Sequence, residues 1–175
     1  MKIAFLKECF HAEIIGVNNK FSWFSIFKKC RNNRKKKFLF FWRLASFLYF
    51  KESRFSQRIA KRINYKLMDR YNTEIELGAI ISPGLYIGHH GGIVVTHLVD
   101  IGRNFSIRQN TTIGLFRATT QRIIIGDNVC IGANSCIIGD GIKIGDNVRV
   151  GAMTFINKDV RSNCTCYTKK ELIVK

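Results

Sequence analysis

The feature that most constrains the fold of this chain is an aliphatic residue that recurs every six positions in the second half of the sequence. Nine such positions form three groups of three: Ile101, Ile107 and Ile113; Ile125, Ile131 and Ile137; Ile144, Val150 and Ile156. A period of six fits neither a helix nor an antiparallel sheet, which repeat every ~3.6 and every ~2 residues. It does fit short strands joined by tight turns, with three strands to a coil. The repeat therefore predicts a parallel β-helix.

The residues between these positions agree with a triangular coil. The fifth place of a hexad is usually small or β-branched, as at Thr111, Val129, Ser135, Val148 and Thr154, and Phe105 is an exception. Glycine, asparagine and aspartate stand at the expected corners, where a positive φ costs little. The phase breaks at Leu115–Ile124, which predicts a loop projecting from one corner. It breaks again at Ile137–Lys143, where one extra residue predicts a bulged corner.

A loop that projects from a regular scaffold is a common place for binding residues. The polar and basic residues of this loop are Arg117, Thr119, Thr120 and Arg122. We expect them to line a site beneath the loop.

Charge and glycine content divide the chain near Asn72. The whole chain has 29 basic and 12 acidic residues, a net charge of +17, and 18 of the basic but 4 of the acidic residues lie in 1–72. Of the 14 glycines, only Gly16 precedes residue 73. The sequence therefore predicts a basic, aromatic-rich helical region over 1–72 and a β-helical domain over 73–175.

The helical region contains a run of cations followed by a run of aromatic residues. Seven of the ten residues in Lys28–Lys37 are basic, and Phe38–Phe50 contains seven aromatic residues with Arg43 as its one charge. This apolar run is too short to span a bilayer. It could lie on an anionic membrane surface, with its rings in the interface. The alternative is that the aromatic rings pack against the β-helix or a second subunit. Nucleic-acid binding is disfavoured, because the cations are poorly interleaved with aromatic residues.

The following segment, Ser53–Tyr71, has helical periodicity. Its apolar residues recur four positions apart, at Phe55, Ile59, Ile63 and Leu67, and its basic residues lie off this stripe. The pattern predicts an amphipathic helix with the stripe on its apolar face.

The segment Gly84–Val95, which reads GLYIGHHGGIVV, resembles the active-site segment of the serine acetyltransferases, a branch of the hexapeptide-repeat acyltransferases. It resembles still more closely the relatives of that branch in capsule and exopolysaccharide gene clusters. The resemblance extends from about Thr73 to Asp159. It implies an all-β left-handed parallel β-helix of four to five coils, acetyl-CoA as co-substrate, and a homotrimer with active sites between subunits.

The resemblance also implies roles for individual residues. His89 matches the catalytic histidine, and Glu74 matches the carboxylate that orients it. Contacts with coenzyme A fall on Gln109, Ala133, Ala152 and Lys158, and contacts with the acceptor on Arg117, Arg122, Gly91 and Gly92.

The residue types suit acyl transfer. A histidine is largely neutral near pH 7 and can accept the proton of an acceptor hydroxyl. A carboxylate such as that of Glu74 would fix its tautomer, and the N–H groups of Gly91 and Gly92 could form an oxyanion hole. The alternative is that His89 and His90 are merely polar residues at an exposed corner. A metal site is disfavoured, because adjacent histidines in an extended strand point to opposite faces.

The chain departs from the serine acetyltransferase pattern in three places. Gly88 replaces an aspartate before the catalytic histidine, Arg122 replaces a second histidine in the loop, and Thr168–Leu172 replaces a Gly-Asn-Pro-Ala-Lys-like segment. The sequence therefore predicts a sugar hydroxyl in capsular or exopolysaccharide assembly as the acceptor. The alternatives are serine O-acetylation in cysteine biosynthesis and a non-catalytic trimeric scaffold at the membrane.

The cysteines form neither a CxxC pair nor a Cys/His metal spacing; they are Cys9, Cys30, Cys130, Cys136, Cys164 and Cys166. Residues Met1–Glu13 lack the apolar stretch and cleavage site of a secretory signal. These observations predict a reduced, cytoplasmic compartment, with attachment to the inner face of the cell membrane as an open extension.

Overall fold

The computed structural model describes residues 2–51, 53–117 and 120–169. Four α-helices come first: α1 (Ile3–Phe10), α2 (Trp23–Asn32), α3 (Arg34–Tyr49) and α4 (Arg54–Tyr71), with a π-helical turn at His11–Ile15 after α1. The last three helices have polar N-caps at Ser22, Asn33 and Ser53, whose side chains accept a backbone N–H of the first turn. These bonds satisfy donors that a helix start leaves unpaired.

Within the residues that the structure describes, fourteen short strands follow the helices. They form three parallel sheets, which we name A, B and C. Sheet A contains β1 (Thr73–Ile75), β4 (Ile93–Val95), β7 (Thr112–Gly114), β10 (Cys136–Ile138) and β13 (Phe155–Ile156). Sheet B contains β2 (Ile80–Ile81), β5 (Val99–Ile101), β8 (Ile123–Ile125) and β11 (Lys143–Ile144). Sheet C contains β3 (Tyr86–Ile87), β6 (Ser106–Ile107), β9 (Cys130–Ile131), β12 (Arg149–Val150) and β14 (Thr165–Cys166).

The chain visits the sheets in the order A, B, C and returns to A one coil further along. The structure is therefore a parallel β-helix of about five coils with helices at its N-terminal end, as the repeat predicted. The nine aliphatic repeat positions are all buried, and the fifth-place residues, Phe105 among them, are buried beside them. Each coil thus stacks its aliphatic residues on those of the next coil, which forms a continuous core.

Left-handed asparagines turn the corner between sheets B and C. Asn104, Asn128, Asn147 and Asn163 have φ between 56° and 61°. Their side-chain amides form a ladder in which each Nδ2 donates to the Oδ1 one coil further along, at 2.9 to 3.1 Å. Asparagine adopts this conformation more readily than most residues, because its side chain can hydrogen-bond locally.

Both breaks in the repeat lie between sheets A and B. The first is the predicted loop, but Ile123 and Ile124 belong to β8, so the loop ends at Arg122. The second is the bulge at Gly139–Ile142, where Gly141 has φ 70° and Ile142 is buried. In both cases the extra residues leave the core register intact, because strands pair in phase on either side.

The helical region and the β-helix share one hydrophobic core. Phe38, Leu39 and Trp42 of α3 and Leu67 and Tyr71 of α4 belong to the same buried cluster as the strand residues. The indole N–H of Trp42 donates to the carbonyl of Ile75 in β1 at 3.1 Å. The helices therefore close the N-terminal end of the β-helix.

This packing favours the second interpretation of the aromatic run. Phe38 and Trp42 have no exposed surface, so these rings cannot lie in a lipid interface. The lysines before them bind backbone carbonyls: Lys35 donates to Gly88, and Lys36 donates to Ile14 at 2.8 Å. The membrane interpretation placed the rings and cations of this segment on lipid, and this does not hold for the two rings and two lysines named here. Among the described residues, no helix has the length and apolar character required to cross a membrane.

The buried face of α4 is not the apolar stripe that the sequence predicted, although the two share Leu67. The buried residues of this helix are Ala60, Asn64, Leu67 and Tyr71, whereas Phe55 is 72% exposed. A small residue at Ala60 allows α4 to approach α3 closely, and Asn64 donates to the carbonyl of Ile75 at 3.3 Å. Hydropathy alone cannot identify a buried asparagine whose partner is a distant backbone group.

A buried ion pair fixes the chain start to the first coil. Arg43 and Glu13 are 1% and 0% exposed, and Arg43 donates to both carboxylate oxygens, Nη2 at 2.5 Å and Nε at 3.1 Å. Arg43 also donates to the carbonyls of Ile81 and Ser82 at 2.6 and 2.9 Å. One oxygen of Glu13 accepts the N–H groups of Gly84 and Leu85 at 3.1 Å. All the backbone groups that this network binds belong to the turn that follows β2 or to its ends, so the ion pair fixes this turn.

Candidate active site

His89 and three of the four predicted coenzyme A residues meet on the edge between sheets C and A, which we call the histidine edge. The strand register places His89, Gln109, Ala133 and Ala152 at this edge in coils one to four. Left-handed residues complete the corners beside them, at Gly92, Asn110, Asn134 and Met153. Residues up to 63 positions apart in sequence therefore form one column on the surface.

The corner that carries His89 is longer than the corner above it. Ile87 pairs with Ile107 before the corner, and Val95 pairs with Ile113 after it. The corner that carries His89 therefore contains two more residues than the equivalent corner one coil further along. This extra length allows the chain to bulge at His89 and His90, so that neither histidine has to follow the regular coil.

The two histidines have opposite environments. His89 is exposed, and among the described residues its imidazole has no hydrogen-bond partner. His90 turns toward the helices and packs against Phe38 and Tyr71, with 4.8 Å between ring centroids in each case. The expectation that the two side chains diverge agrees with this geometry, and it leaves His89 as the histidine that a substrate can reach.

Burial, together with the smaller effect of the charges of Arg34 and Lys35, lowers the pKa of His90 to about 4. Thr73 donates its hydroxyl to the carbonyl of Tyr71 at 3.2 Å, so the His90 Nδ1–H donates to Thr73 Oγ1 at 3.1 Å. The Nε2 atom is buried and lacks a partner among the described residues. His90 is thus a neutral packing residue between the two regions of the chain.

This depressed pKa predicts acid sensitivity. Above pH ~6.5 His90 is neutral in both states, but between pH ~6.5 and ~4 it binds a proton only after unfolding. The free energy of unfolding should therefore fall over this window, by up to about 3 kcal/mol. In the His90→Phe variant, which keeps an aromatic ring but cannot titrate, this part of the fall should disappear. Denaturant titrations of both proteins at several pH values measure the difference, and parallel curves would contradict the assignment.

The two glycines after His90 differ in what they can offer a substrate. The N–H of Gly92 donates to the carbonyl of Asn72 at 2.8 Å, so the prediction that Gly92 contributes to an oxyanion hole was wrong. The N–H of Gly91 has no acceptor among the described residues, and no atom lies within 4 Å of a Cβ built on Gly91. Gly91 therefore remains the available backbone donor at this corner.

Three of the four predicted coenzyme A residues lie on the histidine edge. Gln109 is half-buried and its Oε1 atom has no partner within the described part of the chain. Ala133 and Ala152 follow Gly132 and Gly151, and a Cβ on Gly132 would lie 2.5 Å from the N atom of Ala152. The coils are therefore packed closely at this column, and the side chains that Ala133 and Ala152 present at the surface are only methyl groups. Lys158 is exposed and follows β13, so it lies on the edge between sheets A and B and does not join the column.

Glu74 lies on the outer face of β1, where it lines a cavity of about 360 Å³ with Lys61, Asn64 and Tyr65. It is half-buried and is not hydrogen-bonded to His89. The structure thus brings Glu74 to the neighbouring face without forming the predicted pair.

The same cavity contains a histidine–carboxylate pair that the sequence did not reveal. The Nδ1 atom of His97 lies 2.5 Å from Oε2 of Glu76, which also accepts the backbone N–H of His97 at 2.7 Å. Both side chains are about half exposed. Glu76 is 21 residues before His97, one residue more than the 20-residue coil at this point, so only the coil length could have indicated this contact.

The projecting loop leaves from a different edge. It lies between sheets A and B, whereas His89 lies between sheets C and A. Arg122 donates to Asp100 at 2.9 Å and to the carbonyls of Val99 and Gly78, so it anchors the loop and is not free to bind an acceptor. Arg117 and Thr120 are exposed, and Thr119 lies outside the described residues. Within one chain the loop residues and His89 do not form a common site.

Comparison with known proteins identifies the architecture. A family model described as the hexapeptide repeat of succinyl-transferase matches residues 122–158. Serine acetyltransferase of Neisseria gonorrhoeae in complex with serine has 23% identity and a TM-score of 0.75, over 91% of this chain and 65% of its own. Serine acetyltransferase 1 of Entamoeba histolytica has 25% identity and a TM-score of 0.73, over 94% and 62%. The fold is theirs.

A third solved structure contains coenzyme A. Serine acetyltransferase of Brucella abortus strain S19 in complex with coenzyme A has 24% identity and a TM-score of 0.70, over 78% of this chain and 54% of its own. The chain thus spans between 54% and 65% of the length of these three enzymes. No curated protein sequence matches the chain. The described residues contain no group of three side chains suited to a metal ion.

Proposed function

We propose that this protein is an acetyl-CoA-dependent O-acetyltransferase that uses His89 as its general base. The histidine edge carries this proposal, because it aligns an accessible histidine with Gln109, Ala133 and Ala152 in successive coils. The small side chains of Ala133 and Ala152 leave room on this edge for an extended thioester arm. The Oε1 atom of Gln109 is buried and lacks a partner among the described residues, and rotation of this side chain would let it accept an amide N–H of that arm.

The proposed reaction needs no acylated residue. The acceptor hydroxyl attacks the thioester carbonyl while His89 takes the hydroxyl proton, and a C–O bond forms. Gly91 donates its N–H to the oxyanion. The C–S bond then breaks, and the thiolate takes the proton from the imidazolium. Glu74 is proposed to stabilise this imidazolium from the neighbouring face, although the two residues are not bonded in the single chain.

The acceptor is proposed to be L-serine or a compound of its size. The structural neighbours named above are serine acetyltransferases, and one of them is in complex with serine. They support the serine alternative better than the sugar hydroxyl that the sequence favoured. The sugar remains a second candidate on one observation: Gly88 and Arg122 stand where the serine enzymes have an aspartate and a histidine, so both of those side chains are missing.

A homotrimer is part of the proposal. The loop with Arg117 and the edge with His89 lie on different corners of one β-helix. A neighbouring subunit could bring its loop to the histidine edge, which would complete the acceptor pocket. Sedimentation of the full chain tests this assembly.

Release of coenzyme A from acetyl-CoA, measured with single acceptors, tests the function. L-Serine should give O-acetylserine with a kcat/KM of about 10⁴ M⁻¹ s⁻¹ or more. Product from a glycan or nucleotide sugar, but not from serine, would support the sugar alternative. No thioester turnover with any acceptor would contradict the enzyme proposal and support a scaffold.

A further inference from the structure

Two cations flank the residue that precedes His89. Lys35 of α3 donates its ammonium N–H to the carbonyl of Gly88, and its Nζ lies 5.7 Å from the centroid of the Tyr86 ring. Arg108 lies directly above Gly88 in the second coil, and a Cβ built on Gly88 would lie 3.3 Å from Arg108 Cγ. Because the Gly88 carbonyl belongs to the peptide bond that leads to His89, both cations are adjacent to the proposed base.

Neither cation is neutralised. The ion pairs formed among the described residues are Arg43–Glu13, His97–Glu76, Arg103–Glu8 and Arg122–Asp100. Lys35 and Arg108 are absent from this set. Lys35 uses one of its three N–H donors on Gly88, and Arg108 is exposed with no hydrogen-bond partner within the described ranges. Unpaired donors of this kind bind carboxylates and phosphates well, particularly the planar guanidinium.

We propose that Lys35 and Arg108 form an anion-binding pair that holds a carboxylate or phosphate of the acceptor beside His89. This inference rests on the proposed acetyl transfer to a hydroxyl. It restricts the acceptor to compounds whose reacting hydroxyl lies near an anionic group, such as L-serine, a sugar acid or a sugar phosphate. Ethanolamine and neutral sugars lack that group.

Lys35 and Arg108 flank Gly88 along the histidine edge. Lys35 reaches this edge at the first coil, next to the helices, and Arg108 lies in the second coil, whereas Ala133 and Ala152 lie in the third and fourth coils. Both cations are therefore closer to the helices than the two alanines are. An acceptor entering from the side of the helices would meet Lys35 first, while the thioester would arrive from the side of Ala133 and Ala152.

The pair also accounts for one departure from the serine acetyltransferase pattern, the glycine at Gly88. An aspartate before the catalytic histidine would place a carboxylate between Lys35 and Arg108 and neutralise them. Gly88 leaves the pair free. The Gly88→Asp variant should fold, because the one tight contact of its Cβ would be with the flexible Arg108 side chain, and the Ile107 carbonyl oxygen and the Tyr86 ring would lie at ordinary contact distance, 3.6 and 3.9 Å. It should lose affinity for anionic acceptors.

The test measures KM and kcat of the full chain for L-serine, glucuronate, a sugar phosphate and ethanolamine. The Lys35→Met and Arg108→Met variants should each raise KM for the anionic acceptors roughly ten- to hundredfold, the effect of losing a charge-assisted hydrogen bond. Lys35→Arg should retain most of the affinity. KM for acetyl-CoA and kcat should change little. Lys28→Met and Arg161→Met, which remove exposed cations away from the histidine edge, are the matched controls.

The outcomes separate the two proposals. A parent protein that acetylates no acceptor overturns the proposed function. A parent that acetylates an acceptor with the same KM with and without Lys35 and Arg108 overturns the anion pair alone. An increase confined to KM for acetyl-CoA would assign the cations to the phosphates of coenzyme A and would also overturn it. Preference for serine over the sugar compounds, or the reverse, identifies the source of the anion.

Discussion

Replacing His89 with alanine is expected to lower kcat by roughly two to four orders of magnitude, the usual contribution of a general base. His89 is exposed on an expanded corner and makes no hydrogen bond to any described residue, so its loss should leave the fold intact. The loss should therefore appear in kcat with an unchanged melting temperature. Steady-state kinetics and thermal unfolding of the same preparation measure both.

His90→Phe is the matched control for this experiment. The ring of His90 packs between Phe38 and Tyr71 and points away from the exposed face of the corner. Phenylalanine should preserve this packing, and kcat should stay within a few-fold of the parent. A loss in His90→Phe as large as that in His89→Ala would reject His89 as the base and indicate that the corner acts only through its shape.

The Arg43→Met variant is expected to lose about 3 to 5 kcal/mol of unfolding free energy, because it leaves a buried carboxylate without its partner. Glu13 is fully buried and would retain only the N–H groups of Gly84 and Leu85. The carbonyls of Ile81 and Ser82 would lose their donors as well. Urea denaturation of the full chain measures the change.

The double variant Glu13→Gln/Arg43→Met identifies the cause. It removes both charges, so part of the lost stability should return. Arg103→Met is the surface control, because Arg103 and Glu8 form an ion pair at 2.8 Å with both side chains about half exposed. That variant should change stability little. Equal effects of Arg43→Met and Arg103→Met would show that burial does not decide the strength of this network.

The β-helix could be predicted because its signal is local and repeated. Each repeat residue, for example Ile131, meets its equivalents one coil away in either direction, so one sequence period determines many contacts. The projecting loop and the bulged corner were also visible, because each interrupts this period. The helical region lacks such redundancy. Its aromatic run has the same composition whether it lies on lipid or in a core, and only the buried positions of Phe38 and Trp42 distinguish the two.

The site was predictable to the extent that it follows the coil register. His89, Gln109, Ala133 and Ala152 lie in one column because each is displaced by a whole coil. The errors concern groups whose partners depend on three-dimensional detail. Gly92 gives its N–H to Asn72, and Arg122 turns back to Asp100. The first contact joins residues one 20-residue coil apart, but Asn72 ends helix α4 and precedes the hexad repeat that the sequence shows. The second contact follows no period. The roles of Lys35 and Arg108 depend likewise on where a helix meets a corner.

The positions along the histidine edge are evenly spaced, one per coil. Neighbouring strands of a sheet are about 4.8 Å apart, so the three steps from the His89 coil to the Ala152 coil span about 14 Å. Loops on other folds can stretch or shorten by single residues, but this edge changes length only by whole coils. Insertion of one coil between Gln109 and Ala133 would move every later position by one coil spacing while preserving each corner. A ligand arm matched to this edge would therefore be selected by its length in discrete steps, independently of the chemistry at His89.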